Sequence, residues 1–407
     1  MKLKPLKIGK YTIKYPIIQG GMGVGISWDE LAGNVSKNGA LGTISCVGTG
    51  YYKKMQFAEK IVRSKPFEAI NFYSKNALNE IFKNARKICG DSPLAANILY
   101  AINEYGRVVK DACEAGANII ITGAGLPTNM PEFTKNFPDV ALIPIVSSAK
   151  ALKIICKRWR ERYNKLPDAV IVEGPLSGGH QGFKFEDCFK AEFQLENIVP
   201  KVVAEAKAQG EIPVIAAGGI WNRADIDRFI ALGAAGVQMA TRFLGVKECD
   251  AKAYNDIMPN VKKEDIELIK SPVGYPARAI NIGILKAIKN KTAPKISCIS
   301  NCVSPCNRGE EAQKVGYCIA DRLGDASNGN KESGLYFTGA NGYKITKIIS
   351  TKELISELVA ESGDFVESGD FMESSVESGD FADSGVESGD FAESSVDSGV
   401  ESAIKTN

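Results

Sequence analysis

Eight short β-branched runs separated by amphipathic segments follow one another between residues 16 and 245, and few architectures accept that rhythm. The runs are 16–20 (PIIQG), 41–45 (LGTIS), 94–98 (LAANI), 118–122 (NIIIT), 141–146 (ALIPIV), 168–172 (DAVIV), 213–217 (PVIAA) and 236–240 (GVQMA). Helical patterns lie between them, at 27–38, 103–115, 148–163, 196–209 and 222–232. Apolar strands alternating with helices predict a parallel sheet covered on both faces. Eight such units favour an α/β fold closed into a (βα)8 barrel over an open doubly wound sheet. Functional groups are then expected on the loops that follow the C-terminal ends of the strands.

Those loops are rich in glycine: Gly20-Gly21-Met22-Gly23, Gly123-Ala124-Gly125, 174–182 and Gly218-Gly219, with Ser147-Ser148 and Ala240-Thr241-Arg242 completing the set. Any one of them reads as an ordinary turn, but six together read as a surface that approaches a ligand. The stretch 212–244 is the most specific. A strand runs into Gly218-Gly219, a helix begins near Asn222, and the next strand ends at Met239, Ala240 and Thr241. Backbone amides at a glycine turn and a helix start bind anions, and the last two loops of a barrel commonly hold a phosphate, so a cofactor phosphate is expected between them. The single histidine of the chain, His180, sits in Gly178-Gly179-His180-Gln181-Gly182, just beyond the sixth strand. A lone histidine is often a surface residue or a satisfied core residue. Between glycines at a strand end, packing explains it poorly, and its ordinary pKa of roughly 6.5 suits proton exchange near neutrality.

Charge divides the chain. Residues 361–407 hold thirteen of the 48 acidic residues and one of the 50 basic ones, leaving a basic body and an acidic tail. The body has no basic stripe with interleaved aromatics, which argues against nucleic acid; its charge suits anionic ligands. In the tail a ten-residue unit recurs as VESGDFMESS, VESGDFADSG and VESGDFAESS from Val366, Val376 and Val386. Acidic, Ser/Gly-rich and poor in apolar residues, it is expected to be disordered. The predicted layout is a barrel over 1–245, a cap and closing segment over 246–360, and the tail over 361–407. The long connection 51–92, rich in aromatic residues, reads as helical and packed over the barrel mouth.

No run of about 18 apolar residues predicts a membrane span. The N-terminus is basic but lacks the apolar core of a signal peptide. Six of the ten cysteines lie singly in apolar segments, which suits a reducing compartment, and a cytoplasmic location is expected. The other four, Cys298, Cys302, Cys306 and Cys318, form a CxxxCxxxC run with a fourth cysteine twelve residues on. Thiolates so placed suit zinc or an iron–sulfur cluster, but the spacing is not that of the familiar CxxC pairs. Free cysteines that stiffen the cap are the preferred reading, with no metal assigned.

The segments PIIQGGMG (16–23), SGGHQG, AAGGI and QMATRFL occur in an order that resembles the nitronate monooxygenase family, over about residues 10 to 285. The resemblance implies an FMN-dependent TIM barrel that oxidises alkyl nitronates with O2. It also implies residue roles. Gln19, Gly20, Gly21 and Met22 form the wall under the flavin ring, and Asn97 contacts the flavin. Gly178 and Gly179 lie beside the ring or ribityl chain, while Gly218, Gly219, Met239, Ala240 and Thr241 hold the phosphate. His180 matches the catalytic histidine. Relatives of this family include FMN-dependent enoyl-acyl-carrier-protein reductases with the same glycine–histidine loop, so an NAD(P)H-using enoyl-thioester reductase stands as an alternative. A third reading makes the barrel a flavin-binding scaffold whose acidic tail recruits an unknown partner.

Overall fold

The computed structural model describes residues 2–52, 73–296, 298 and 302–361. The acidic repeats and the aromatic-rich stretch 53–72 lie outside the described residues.

Each of the eight apolar runs forms a strand within two residues of its expected place. A short antiparallel hairpin, β1 (Leu6–Ile8) and β2 (Tyr11–Ile13), precedes them. The barrel strands are β3 (Ile17–Gln19), β4 (Gly42–Ser45), β5 (Leu94–Leu99), β6 (Ile119–Gly123), β7 (Ala141–Val146), β8 (Val170–Glu173), β10 (Val214–Ala217) and β11 (Gly236–Met239). They pair in parallel in the order β3-β11-β10-β8-β7-β6-β5-β4. A parallel bridge between Ile18 and Leu41 joins the two ends and closes the sheet into a barrel.

Strand alternation decides what faces inward. Ile18, Leu41, Ala95, Ile121, Ile143, Ile171 and Ile215 fill the interior, together with Leu6, Ile8 and Ile13 from the hairpin. Further along the strands, at their C-terminal ends, the inward positions become Gly20, Ser45, Asn97, Gly123, Ile145, Glu173, Ala217 and Gln238. Apart from Ile145, this layer is small or polar where the one beneath is apolar, so the barrel is filled below and open above.

The outer helices start where local chemistry allows. Ser148 accepts the Ala151 N–H and begins helix Ala149–Tyr163; Asn222 and Asp225 form a capping box for helix Arg223–Ala231, satisfying N–H groups that a first turn leaves unpaired. Asp250 does the same from a distance. Its carboxylate accepts the N–H groups of Trp28, Glu30 and Leu31 at 2.8, 3.1 and 3.2 Å, at the start of helix Asp29–Lys37. Helix Lys75–Cys89 packs on that helix, Gly33 lying against Ala85 and Ile88. The described part of the 51–92 connection therefore stands in the outer layer rather than over the mouth.

Helix Thr351–Val359 also rests on the barrel, against helices Asp29–Lys37 and Arg223–Ala231. The Arg223 guanidinium donates to the carbonyls of Val359 and Ala360 at 2.7 and 2.6 Å. Residues 246–350 are thus an excursion between the last barrel strand and a helix of the outer layer. The excursion contains β12 (Ile266–Ile269) and β13 (Ala277–Ile280). β13 pairs antiparallel with β12 and with β9 (Gly179–His180), a two-residue strand in the loop after β8.

Candidate active site

A cavity of about 480 Å³ opens above the small and polar layer, and all eight residues of that layer line it. The size lies within the range of small-molecule sites. Gly20, Gly21, Met22, Asn97, Gly178, Gly179, His180, Gly218, Gly219, Met239, Ala240 and Thr241 line it too. Gln19 does not. With Ile18 and Gly20 facing inward, alternation turns Gln19 away; its Oε1 accepts the Thr43 N–H at 3.0 Å and its Nε2 donates to the Gly20 carbonyl. Its amide joins the first two barrel strands and is not available to a ligand.

On one side, two adjacent loops present a set of free donors. The backbone N–H groups of Gly218, Gly219, Ala240 and Thr241 make no hydrogen bond among the described residues. Unpaired amides converging on a cavity form an anion site. Gly218 has φ +98°, and a Cβ there would lie 2.7 Å from the Gly174 carbonyl oxygen, so only glycine lets the two loops approach. The excursion fixes the same wall: Asn341 Nδ2 donates to the Gly219 carbonyl at 2.7 Å, and the Gly339 N–H donates to Thr241 Oγ1 at 2.9 Å. Arg242 is engaged elsewhere, paired with Glu357 at 2.8 Å and lying over the Trp221 ring.

The floor is polar and partly unsatisfied. Gln238 Oε1 is buried without a partner, and the Asn97 and Glu173 side chains on the same layer make no hydrogen bond among the described residues. Burial lifts the Glu173 carboxyl to about 7. Orphaned polar atoms of this kind are normally completed by a ligand or water. A flavin nucleotide offers a phosphate, a hydroxylated chain and a ring with a polar edge, and the residues present fit it.

His180 faces the cavity from β9 and is held by the excursion. Its main chain pairs with Ala277, and its Nε2 lies 2.8 Å from Ser271 Oγ. The Phe337 ring meets it edge-on, with centroids 5.5 Å apart. Burial lowers its pKa to about 4, so the imidazole is neutral near pH 7. Arg278, opposite Gly179 in β13, is buried. It donates to the carbonyls of Pro175 at 2.7 Å and Ser177 at 3.3 Å, fixing the loop that leads into Gly178.

Sequence reasoning missed Glu173, Gln238, Ser271, Arg278 and Phe337. Strand parity carried to the end of each run would have found the first two; nothing local marks the others. As for the cysteine group, Cys298, Cys302 and Cys318 are half-buried and Cys306 is buried, all four free. Burial raises the Cys302 and Cys318 thiols to about 12 and about 11, which keeps them protonated. Among the described residues no group of three or more His, Cys, Asp or Glu side chains is placed to hold a metal ion. No helix among them is long and apolar enough to cross a membrane.

The fold and the cavity define a barrel enzyme of the flavin-dependent oxidoreductase class. Residues 4–361 match the nitronate monooxygenase family, and the chain belongs to it. It is similar to a probable nitronate monooxygenase of Staphylococcus aureus, 30% identical over 292 residues, covering 66% of this chain and 76% of the relative. The corresponding protein of Staphylococcus saprophyticus is 28% identical over 310 residues, covering 69% and 79%. Among solved structures, FabK from Thermotoga maritima aligns with a TM-score of 0.63 at 26% identity over 85% of this chain and 92% of that one. A nitroalkane oxidase from Streptomyces ansochromogenes shares the fold, with a TM-score of 0.59 at 19% identity over 85% and 95%.

Proposed function

We propose that the protein is an FMN-dependent nitronate monooxygenase that oxidises small alkyl nitronates with O2. The observation that carries this reading is one neutral histidine on the wall of a cavity whose adjacent wall is a cradle of unpaired backbone N–H groups. Gly218, Gly219, Ala240 and Thr241 would hold the phosphate of FMN, while Asn97, Gln238 and Glu173 meet its polar parts from the floor. Bound FMN supplies the electron transfer from nitronate to O2, which no side chain offers. The chain supplies orientation and proton control. A nitronate arrives deprotonated, and the ring nitrogen of His180 left for the cavity would stabilise its charge when protonated; a neutral nitroalkane must first lose its α-proton, and the same nitrogen takes it when bare. The imidazole, uncharged near neutrality, is ready for the second task without first losing a proton.

Buried single cysteines suit a reducing compartment, and we assign the protein to the cytoplasm on that ground. The barrel over 1–245 and the cap and closing segment over 246–360 act together in this reading, and the repeats play no part in catalysis. Purified protein is expected to be yellow, and its flavin to cycle with an alkyl nitronate and O2 while NADH or NADPH alone reduces it slowly. Rapid reduction by NAD(P)H would move the reading to a reductase. A colourless protein that does not take up FMN would remove both.

A further inference from the structure

Glu173 is an acidic group in the cavity with nothing set against it. It ends β8, half-buried, and on the strands either side the inward positions of its layer are Ala217 and Ile145, whose side chains donate nothing. Its carboxyl makes no hydrogen bond or ion pair among the described residues, and desolvation alone shifts it upward. The described residues that line the cavity include two other ionisable side chains, His180 and Tyr275, and no lysine or arginine. The nearby arginines are engaged: Arg278 of β13 donates to the Pro175 and Ser177 carbonyls, and Arg242 pairs with Glu357. The residue after Glu173 abuts the anion cradle. Gly174 donates its N–H to the Ala217 carbonyl at 2.8 Å, and a Cβ on Gly218 would lie 2.7 Å from the Gly174 carbonyl oxygen. A phosphate monoester carries about −1.5 to −2 charge at pH 7. Held on the free N–H groups of 218–219 and 240–241, it would share the cavity with a carboxylate that has neither a donor nor a cation to offset the repulsion. Like charges in a desolvated site favour the neutral acid.

We propose that Glu173 enters the flavin complex as a neutral carboxylic acid, its O–H donating to an acceptor atom of the bound FMN, so that above neutral pH the cavity takes up one proton from solvent as FMN binds. This rests on the FMN part of the reading above and not on the nitronate reaction. Before FMN binds, the carboxyl holds its proton up to about pH 7; the complex holds it to higher pH. Below that point no proton has to be gained and affinity is full, and above it affinity falls as pH rises.

Release of FMN from the full-length holoprotein on dilution, read as recovery of flavin fluorescence, gives Kd as a function of pH. Between about pH 7 and 8.5 the wild type is expected to lose about tenfold in affinity, the size that one linked proton provides. Glu173→Gln keeps a donor of the same reach and does not titrate. It is expected to hold FMN at least as tightly as the wild type at pH 7 and to show no such loss. His180, lowered to about 4, does not titrate in this window, and the FMN phosphate is common to both proteins and cancels in the ratio of their Kd values. Glu173→Leu removes the donor as well and is expected to bind FMN about fivefold more weakly than Glu173→Gln at every pH. Wild-type affinity that stays constant across the window, or falls equally in Glu173→Gln, would overturn the proposal. So would equal affinities of the Gln and Leu variants. Absence of nitronate turnover with FMN binding behaving as stated would instead remove the proposed reaction and leave the neutral acid standing.

Discussion

The barrel and the excursion that follows its last strand contribute to one cavity in opposite ways. The barrel offers mostly backbone: free N–H groups at 218–219 and 240–241, on a floor set by strand alternation. The excursion offers side chains that grip the barrel loops from outside: Ser271 on His180, Arg278 on the Pro175 and Ser177 carbonyls, Asn341 on the Gly219 carbonyl. Regular geometry supplies the place to bind, and irregular geometry supplies the orientation of the reactive group. That division fits the barrel family at large, where one scaffold serves many chemistries through its loops.

Single substitutions can separate the two contributions. The largest effect is expected at their meeting point. His180→Asn should leave a folded, flavin-containing protein with turnover down by about 10² or more, read as kcat with nitronate and O2; full activity would take His180 out of the mechanism. Next, Gly218→Ala acts on the barrel side alone. A Cβ 2.7 Å from the Gly174 oxygen at φ +98° must displace one of the loops, and a cost of about 1–3 kcal/mol should appear as roughly ten- to hundredfold weaker FMN binding in a fluorescence titration. Arg278→Met acts on the excursion side. It removes the donors to the Pro175 and Ser177 carbonyls and should lower turnover about tenfold with FMN affinity little changed. If Arg278→Met released the flavin, or Gly218→Ala slowed turnover while keeping it bound, the division between binding and orientation would fail.

The same division explains what could be read from the chain beforehand. Periodicity located all eight strands, since each is a short apolar run between turns, and the glycine loops pointed to the 218–219 and 239–241 walls. Gln19 misled because resemblance treats a loop as a unit, whereas alternation gives neighbours opposite faces. Gln238, inside its apolar run, and Glu173, one residue beyond its own, were within reach of that rule. Ser271 and Arg278 were not, because their roles arise where an antiparallel pairing joins segments about a hundred residues apart. No local pattern specifies such a register. The return of helix Thr351–Val359 to the outer layer depends on contacts with Arg223 and Arg242 that the sequence does not reveal.

The smallest expected effect is on stability, and it contrasts one residue from each side of the cavity. Glu173, on the barrel floor, has its pKa lifted to about 7; an unfolded glutamate titrates near about 4.3. The folded state therefore takes this proton more readily, and the contribution of Glu173 is full below the unfolded pKa and lost as pH rises towards 7. His180, held by the excursion, has its pKa lowered to about 4, against roughly 6.5 when unfolded. There the unfolded state takes the proton, and stability is full above the unfolded pKa and lost as pH falls towards 4. Between about pH 4.5 and 6.5 the two oppose each other. Acidification across that window should therefore favour His180→Asn relative to wild type and disfavour Glu173→Gln. The melting-temperature differences should have opposite slopes, changing by ~2 °C or more across the window, while groups common to all three proteins cancel. Both half-buried groups owe their shifts to desolvation at the cavity, so parallel slopes for the two variants would mean that only one of the two shifts is present.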